Sequence, residues 1–532
     1  MSTERTQPPK PAPTFPSTPV KPGWARFTIL FAVFLCAACG MVYELALIAL
    51  GSYLLGNTIV QASIVLSVMV FAMGVGSVAT KRLVRWAAVS FALIEVLLSV
   101  IGGLSVLLLY LAFAYMDLYM VALVICAFTI GALIGAEIPL LMELVQSIRK
   151  QRASSAVADL FAADYVGGLL GGLAFPFLLL PLLGLVRGTI VIGAINALTG
   201  VVVVLWLFRR SLARRATVAV SISLVVALGF LTVAWALADT IEVSARQRLY
   251  RDPIVAAERS DYQEIVLTKD PRTSDTRLFL NGDLQFASLD EHRYHESLVH
   301  PVMNGKHSNV LILGGGDGLA AREVLKYPDV NAVTLVDLDP AVTGLAKSDD
   351  RLRKFNQDAL NDPRVKVINA DAFSWVRTGP PREFDAVIVD LPDPDDVPTA
   401  KLYTIEFYDL VSHVMAPGAR MVVQAGSPYF APEAYWGIGE SVAQAGFATT
   451  PYHVDVPSFG DWGYFLASKG AAPEVKVSDA VAPRLSFMTP EVARTSVVFP
   501  PDRDRGSVKN VEASTLLHPR VLDAERRGWV GY

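Results

Sequence analysis

Two short apolar runs in this chain break, at their carboxyl ends, into residues that can hold charge. Val310-Leu311-Ile312-Leu313 leads into Gly314-Gly315-Gly316-Asp317-Gly318, and Ala386-Val387-Ile388-Val389 leads into Asp390-Leu391-Pro392-Asp393-Pro394. An open parallel α/β sheet presents ligands at the carboxyl ends of its strands, so the first run should hold a nucleoside and the second should do chemistry. Asp317, Asp390 and Asp393 wall the pocket with negative charge, so its ligand should be a cation. Glycines at 314, 316 and 318 let the backbone turn tightly and approach a ligand. The next strand ends at Asp337, the spacing at which a carboxylate accepts hydrogen bonds from ribose hydroxyls. A third ends at Asp371, after Val367-Ile368-Asn369-Ala370, placed to meet an adenine amino group. Each aspartate alone also fits a helix N-cap or a turn. Four strand-end aspartates in order favour the ligand reading.

The elements that must position them alternate. Strands are expected at 310–313, 332–336, 365–368, 385–389 and 419–423, with helices at 319–326, 341–347 and 404–414, the order of a doubly wound α/β sheet over 305–470. Before it, Tyr262 to Leu267 and Arg277 to Leu280, the latter closing in Asn281-Gly282-Asp283, predict a small β-rich lobe within 241–304. The tail over 471–532 reads as irregular and carries no role.

Composition divides the chain. Of its 532 residues 53% are hydrophobic and only 18% charged, too apolar for an ordinary soluble enzyme. The excess lies before residue 240, where runs long enough to cross a bilayer recur around 27–50, 59–80, 86–115, 118–144, 160–183, 189–208 and 217–238. Seven spans are therefore expected within 25–240, behind a disordered, Pro- and Thr-rich tail over 1–24 that lacks the apolar core of a signal peptide. The implied location is the cell membrane, crossed several times, with the lipid bilayer as a partner. Basic clusters at Lys21 and Arg26, at Lys81, Arg82 and Arg85, at Arg149, Lys150 and Arg152, and at Arg209, Arg210, Arg214 and Arg215 suit three hairpins with an inner amino terminus. A seventh span would then carry the soluble half outside; a nucleoside ligand argues for the cytoplasmic side, and the chemistry is preferred to the count. Glu44, Glu95, Glu137, Asp159 and Asp164 lie within the apolar half, where a carboxylate marks a path for a cationic amine or else bonds to neighbouring helices.

All three cysteines, Cys36, Cys39 and Cys126, fall in the apolar half, which removes disulfides, thiolate catalysis and cysteine-held metals from the soluble half. No metal site is expected there: Asp390, Asp393, Asp395 and Asp396, or His292 with His295, lack the further ligands one requires. The net charge of -4, with no long basic run, argues against nucleic acid as a partner.

Together these residues resemble a family. Gly314-Gly315-Gly316-Asp317-Gly318 with Arg322-Glu323-Val324-Leu325, Tyr294-His295-Glu296, Asn281-Gly282-Asp283-Leu284-Gln285 and Asp390-Leu391-Pro392-Asp393-Pro394 look like the spermidine synthase (polyamine aminopropyltransferase) family from about Tyr262 to Ser468. The apolar half resembles the multi-pass membrane extension of some bacterial members. The resemblance implies an all-α multi-span membrane domain fused to a Rossmann-like catalytic domain of the class I methyltransferase type. It implies that decarboxylated S-adenosylmethionine, a co-substrate and not a bound cofactor, gives an aminopropyl group to a diamine such as putrescine, yielding spermidine and methylthioadenosine. The partners are then small polyamines and nucleosides, with homo-oligomerisation left open.

Carried over by position, Asp390 is the base, and Asp393 and His295 help hold the amine. Asp317 holds the donor's amino group; Gln263, Asp337 and Asp371, with Gly314, Gly316 and Ala372, bind the nucleoside. Gln285, Tyr294 and Gln424 fall on the acceptor side. The chain departs from the family at Asp337, where Glu is usual, at Asp395-Asp396-Val397-Pro398 in place of Gly-Pro, and at Phe459 in place of a pocket Tyr, which leaves the acceptor open. Two other readings stand beside this one: a methyltransferase, which would not need Asp317 or the Asp390 and Asp393 pair, and a membrane amine transporter or sensor with a nucleotide-binding lobe.

Overall fold

The computed structural model describes residues 22–529 apart from 56–57, 117, 149–152, 210–211 and 510; most of the tail expected over 1–24 and the basic residues Arg149, Lys150, Arg152 and Arg210 lie outside them. The chain divides into two compact units, Met1–Arg251 and Asp252–Tyr532.

The first unit is helical: α1 Pro22–Leu55, α2 Thr58–Ala79, α3 Ala87–Met116, α4 Tyr119–Ile148, α5 Ala153–Ala174, α6 Leu180–Leu207 and α7 Arg214–Leu249. Six helices among the described residues are long and apolar enough to cross a membrane, against the seven expected. The difference is Val157–Leu207, a continuous stretch of 51 residues, which at ~1.5 Å per residue would run far beyond a bilayer core of about 30 Å. It contains a π-helical turn at Phe175–Leu179 and a non-helical break at Gly184, φ 68°.

Its two arms run in opposite directions. On α5, Asp159 pairs with Arg26, while Gly167 and Gly171 sit against the backbone of Phe34 and Ala38, so α5 is parallel to α1. Gly102 of α3 meets the ring of Tyr43 and Glu95 approaches Cys36, so α3 is also parallel to α1. On α6, Gly193 meets Ser99 and Gly200 meets Glu95, so α6 is antiparallel to α3. The sequence separated the two arms because the prolines and glycine between them interrupt the apolar run; the chain reverses there, leaving helical geometry at Gly184, so the single stretch is two helices joined as a hairpin.

The second unit opens with an antiparallel sheet in the order β1 Ile254–Arg259, β2 Glu264–Lys269, β3 Thr276–Leu280, β4 Asp283–Ala287. Helix α8, Glu291–Met303, leads into a seven-stranded sheet of β5 Asn309–Gly314, β6 Ala332–Asp337, β7 Val365–Asn369, β8 Phe384–Asp390, β9 Met415–Gln424, β10 Ala448–Val456 and β11 Gly460–Ser468. Its order is β10-β11-β9-β8-β5-β6-β7. Neighbours are parallel from β9 through β8, β5 and β6 to β7, with β11 and β10 antiparallel at the edge. Val310 and Ile312 face one core while Leu311 and Leu313 face the other, which is why each central strand reads as an unbroken apolar run. Strand order reverses between β5 and β8, so the sequence brings Gly314 and Asp390 side by side in the ladder at the point where such sheets bind ligands.

The edge strands β10 and β11 and the helices Asp350–Asn356, Ala372–Thr378 and Pro432–Gln444 were not anticipated. The tail read as irregular carries two short helices, Pro490–Thr495 and Arg520–Gly528.

Candidate active site

The glycine turn after β5 is forced by crowding. Gly314 has φ 86°, and a Cβ there would lie 1.9 Å from the carbonyl oxygen of Asp390; one on Gly316 would lie 2.5 Å from Oδ2 of Asp337. Only glycine allows the turn to nest between the ends of β8 and β6. Asp317 follows, its Oδ1 accepting from the Leu319 N–H at 2.9 Å.

Across the switch point, Oδ1 of Asp390 accepts a hydrogen bond from the Tyr294 hydroxyl at 2.6 Å. Tyr294 is buried beneath Phe459, Trp462 and Tyr464, which fixes its direction. Its neighbour His295, buried, has Nδ1 2.8 Å from the carbonyl oxygen of Glu291 and 3.0 Å from that residue's Oε2. Arg322 donates to both oxygens of Glu291, at 2.8 and 2.9 Å. The remaining acid of this buried chain, Glu323, bonds Arg322 and His300.

The charges are set by these contacts. Desolvation would lower the pKa of His295, but the bond to Glu291 and the charges of Glu291, Asp317 and Asp390 reverse this and hold it at about 9. Burial raises Asp390 to about 6, with His295 pulling down and Asp317 pushing up. Burial likewise raises Asp317, opposed by His295. At neutral pH the site therefore holds a histidinium beside the Asp390 carboxylate.

Asp393 lies on the loop after β8. Gln424, at the end of β9, donates through Nε2 to its Oδ1 at 3.2 Å and to the Leu391 carbonyl at 2.5 Å; the Tyr403 hydroxyl holds the Leu391 and Pro392 carbonyls. Burial, then Asp395 and Asp283, raise Asp393 to about 7. Gln285, on β4, donates to the Asp283 carbonyl at 3.2 Å; Asp283 stands exposed at the start of β4 with Asp395 and Asp396 as charged neighbours.

On the nucleoside side, burial raises Asp337 to about 6, and its Oδ1 accepts from the Asp339 N–H at 2.9 Å. Gln263 reaches this strand end through Nε2, donating to Oδ2 of Asp339 at 3.0 Å. Asp371 caps the helix Ala372–Thr378, accepting from the Ser374 N–H at 2.8 Å, and pairs with Lys401 at 2.7 Å. It serves as the N-cap the sequence also allowed.

Two residues escaped the sequence reading. Asp339 is fully buried, binds Ser260 and Gln263 and caps the helix Pro340–Ser348; the Asp-Pro pair at a helix start was its available signal. Glu525, on the helix Arg520–Gly528, is also buried. A Cβ added to Gly426 would lie 3.7 Å from Oδ1 of Asp393 and 3.9 Å from Oε2 of Glu525, so one point sees both carboxylates. Burial, then Asp393, raise Glu525 to about 8, and Arg526 pins this helix to the Asp395 carbonyl at 2.9 Å. Nothing local in a polar tail marks Glu525 from sequence.

Comparison with known proteins follows the same outline. The spermine/spermidine synthase domain matches residues 291–479. The chain is 54% identical over 512 residues to polyamine aminopropyltransferase 1 of Streptomyces coelicolor, covering 96% of each. It is 46% identical over 513 residues to the polyamine aminopropyltransferase of Mycobacterium tuberculosis H37Rv, covering 95% of this chain and 97% of that one. A crystal structure of spermidine synthase in complex with the transition state analogue AdoDATO is 27% identical, covers 46% of this chain and 85% of that chain, and superposes with a TM-score of 0.43.

The raised carboxylates have a thermodynamic signature. Asp393 binds its proton more tightly folded, at about 7, than unfolded, at about 3.9, so its contribution to stability falls as pH rises across that window and stays low above it. Asp393→Asn should therefore melt about 2–4 °C above the parent at pH 8, as ~1 kcal/mol produces in a domain of this size, with the difference vanishing near pH 4. Calorimetry at the two pH values checks it; a variant less stable at pH 8 would contradict the assignment.

Proposed function

This chain belongs to the polyamine aminopropyltransferase family, and on that premise we propose how its C-terminal unit works. The enzyme transfers an aminopropyl group from decarboxylated S-adenosylmethionine to a polyamine. The observation that carries the residue assignment is Asp390 beside Gly314 at the β5/β8 switch point, near enough to Asp317 for their charges to interact and aimed by Tyr294.

In this proposal the glycine turn, including Gly314 and Gly316, admits the donor nucleoside. Asp337 accepts the ribose hydroxyls beside Gln263, and Asp371 with the backbone of Ala372 meets the adenine edge. Asp317 takes the donor's ammonium and so disfavours the carboxylate of the undecarboxylated donor. The acceptor is a diamine such as putrescine. One nitrogen lies at Asp390, and the far ammonium lies among Asp393, Gln424, Gln285 and Glu525.

An alkylammonium has a pKa near ~10.4 and no lone pair to attack with. Asp390, ionised above about 6, accepts one of its protons. The freed nitrogen forms a C–N bond to the methylene next to the sulfonium, the C–S bond breaks, and its electron pair leaves on methylthioadenosine. Positioning supplies most of the acceleration because the sulfonium is already a leaving group. His295, with Nδ1 committed to Glu291, is a positioning residue: its charge opposes the rise that burial gives Asp317 and Asp390.

We place the helical unit in the cell membrane and the catalytic unit on its cytoplasmic face. Seven passes from an inner end marked by Arg26, Lys81, Arg82, Arg85, Arg209, Arg214 and Arg215 would deliver it outside. A charged nucleoside donor, however, does not cross a bilayer unaided.

Three measurements test these assignments. Asp390→Asn should lower turnover about 10²–10⁴-fold, the usual contribution of a positioned base, while methylthioadenosine binding is unchanged. The parent's turnover should rise with pH through about 6 and the variant's should not, since only the parent has that carboxylate to ionise. Near-normal turnover of the variant at pH 7 would end the assignment. Glu525→Gln should raise the acceptor KM about 10-fold, within the range of a lost hydrogen bond to a charge, and leave the donor KM alone. A fluorescent protein fused after Tyr532 should fold and fluoresce in cells while a phosphatase fused there stays inactive; an active phosphatase would put the catalytic unit outside.

A further inference from the structure

The helical unit contains a second group of carboxylates that the transfer reaction does not use. Glu95 of α3 and Glu137 of α4 are buried, at 0% and 4% exposure. With Cys36 of α1 they present side-chain atoms that lie within 4.8 Å of one another. Both carboxylate oxygens of Glu95, Oε1 of Glu137, Oδ1 of Asn196 on α6 and the hydroxyl of Tyr43 on α1 are buried without a hydrogen bond of ordinary length and angle; the side chains near enough to Glu95 to bond it are Cys36, Asn196 and Glu137, all from the same group. Asn196 and Tyr43 are fully buried and are not part of the acidic group. Asn196 faces it, reaching the Glu95 carbonyl through Nδ2 at 3.5 Å, and Tyr43 is close enough to interact with both glutamates.

The packing holds this arrangement together. A Cβ on Gly200 would lie 2.3 Å from Cβ of Glu95, and one on Gly102 would lie 2.7 Å from the Tyr43 ring; glycine at these positions lets α1, α3 and α6 close on the group. The charged and polar groups acting on Glu95 and Glu137 are each other, Cys36, Asn196 and Asp164, and none is basic. Asp164, half-buried on α5, is the next acid toward the Arg26 end. A carboxylate at this depth costs several kcal/mol without a partner, and nothing among the described residues supplies the positive charge.

We propose that this cluster binds one ammonium end of an aliphatic amine, at a site separate from the transfer site. A primary ammonium carries three N–H donors and no acceptor, which matches unpartnered oxygens arriving from four helices. The Tyr43 ring adds a surface that attracts cations, and the apolar walls suit a methylene chain. A metal ion would meet a mixed set of one thiol and hard oxygens. The choice of ligand class rests on the amine chemistry of the transfer reaction; the site itself does not.

The test uses the full-length protein in lipid nanodiscs, with radiolabelled putrescine and spermidine in equilibrium dialysis and no donor present. The parent should bind two amines per chain. Glu95→Gln and Glu137→Gln should each bind one while keeping the parent's kcat and KM for transfer, and Asp393→Asn should lose the other. Tyr43→Phe, which removes one acceptor and no charge, should weaken the membrane site several-fold in a bundle that elutes as the parent does. Two sites retained in Glu95→Gln, or a single site in the parent that disappears with Asp393→Asn, would overturn the proposal. One metal ion per chain, lost in Cys36→Ala, would overturn it in favour of a metal centre. Absence of methylthioadenosine from the parent's own reaction is a separate result and would count against the transfer reading alone.

Discussion

The catalytic unit depends on one buried proton, the one on His295. Arg322 fixes the charge of Glu291, and Glu291 sits on Nδ1 of the imidazole, so the ring stays cationic in a place where burial alone would discharge it. That cation opposes the rise that burial gives Asp317 and Asp390. Breaking the chain at Glu291 would leave two carboxylates desolvated beside each other, and at least one would take up a proton. The charge balance around Asp317 and Asp390 is thus set by a pair one helical turn apart on α8 and an arginine on the helix after the glycine turn.

The same accounting explains why the cleft prefers cations. One histidinium faces Asp317 and Asp390, while Asp393, Glu525 and Asp283 have carboxylates as their nearest charged neighbours. Substrates that bring a sulfonium and several ammonium groups relieve a strain that folding imposes. A neutral or anionic ligand of the same shape would bury this repulsion without relieving it, so selection for polycations follows from electrostatics as well as fit.

Much of this was legible because the central strands are buried on both faces. Unbroken apolar runs ending in glycine or aspartate placed the carboxyl ends of β5 to β8, and with them Asp317, Asp337 and Asp390. Edge elements were harder. β10 and β11 alternate less clearly, with Pro451 inside β10, and form the antiparallel margin. Asp371 shows the limit of reading single residues: cap and ligand contact share one spacing, and the sequence could not separate them. Glu525 was out of reach, because its meaning comes from a contact with a loop more than a hundred residues earlier. In the apolar half the composition revealed helices long and apolar enough to cross a membrane but not their directions. Those emerge from small residues, Gly167, Gly171, Gly193 and Gly200, whose contacts give the order in which helices meet.

Those glycines also set what each unit can tolerate. In the catalytic unit, glycine at 314 and 316 brings a turn against the Asp390 carbonyl and the Asp337 carboxylate. In the helical unit, Gly102 and Gly200 bring helices against Tyr43 and Glu95, where a side chain would push the packing apart before any ligand arrived. In both places close backbone approach brings carboxylates together in a small volume, bonded by neighbours at the glycine turn and unpaired between the helices. Stability alone would favour replacing such residues with apolar ones. The two arrangements, one at a sheet switch point and one between helices, thus share one electrostatic logic: carboxylates held close by glycine packing are relieved by positive charge.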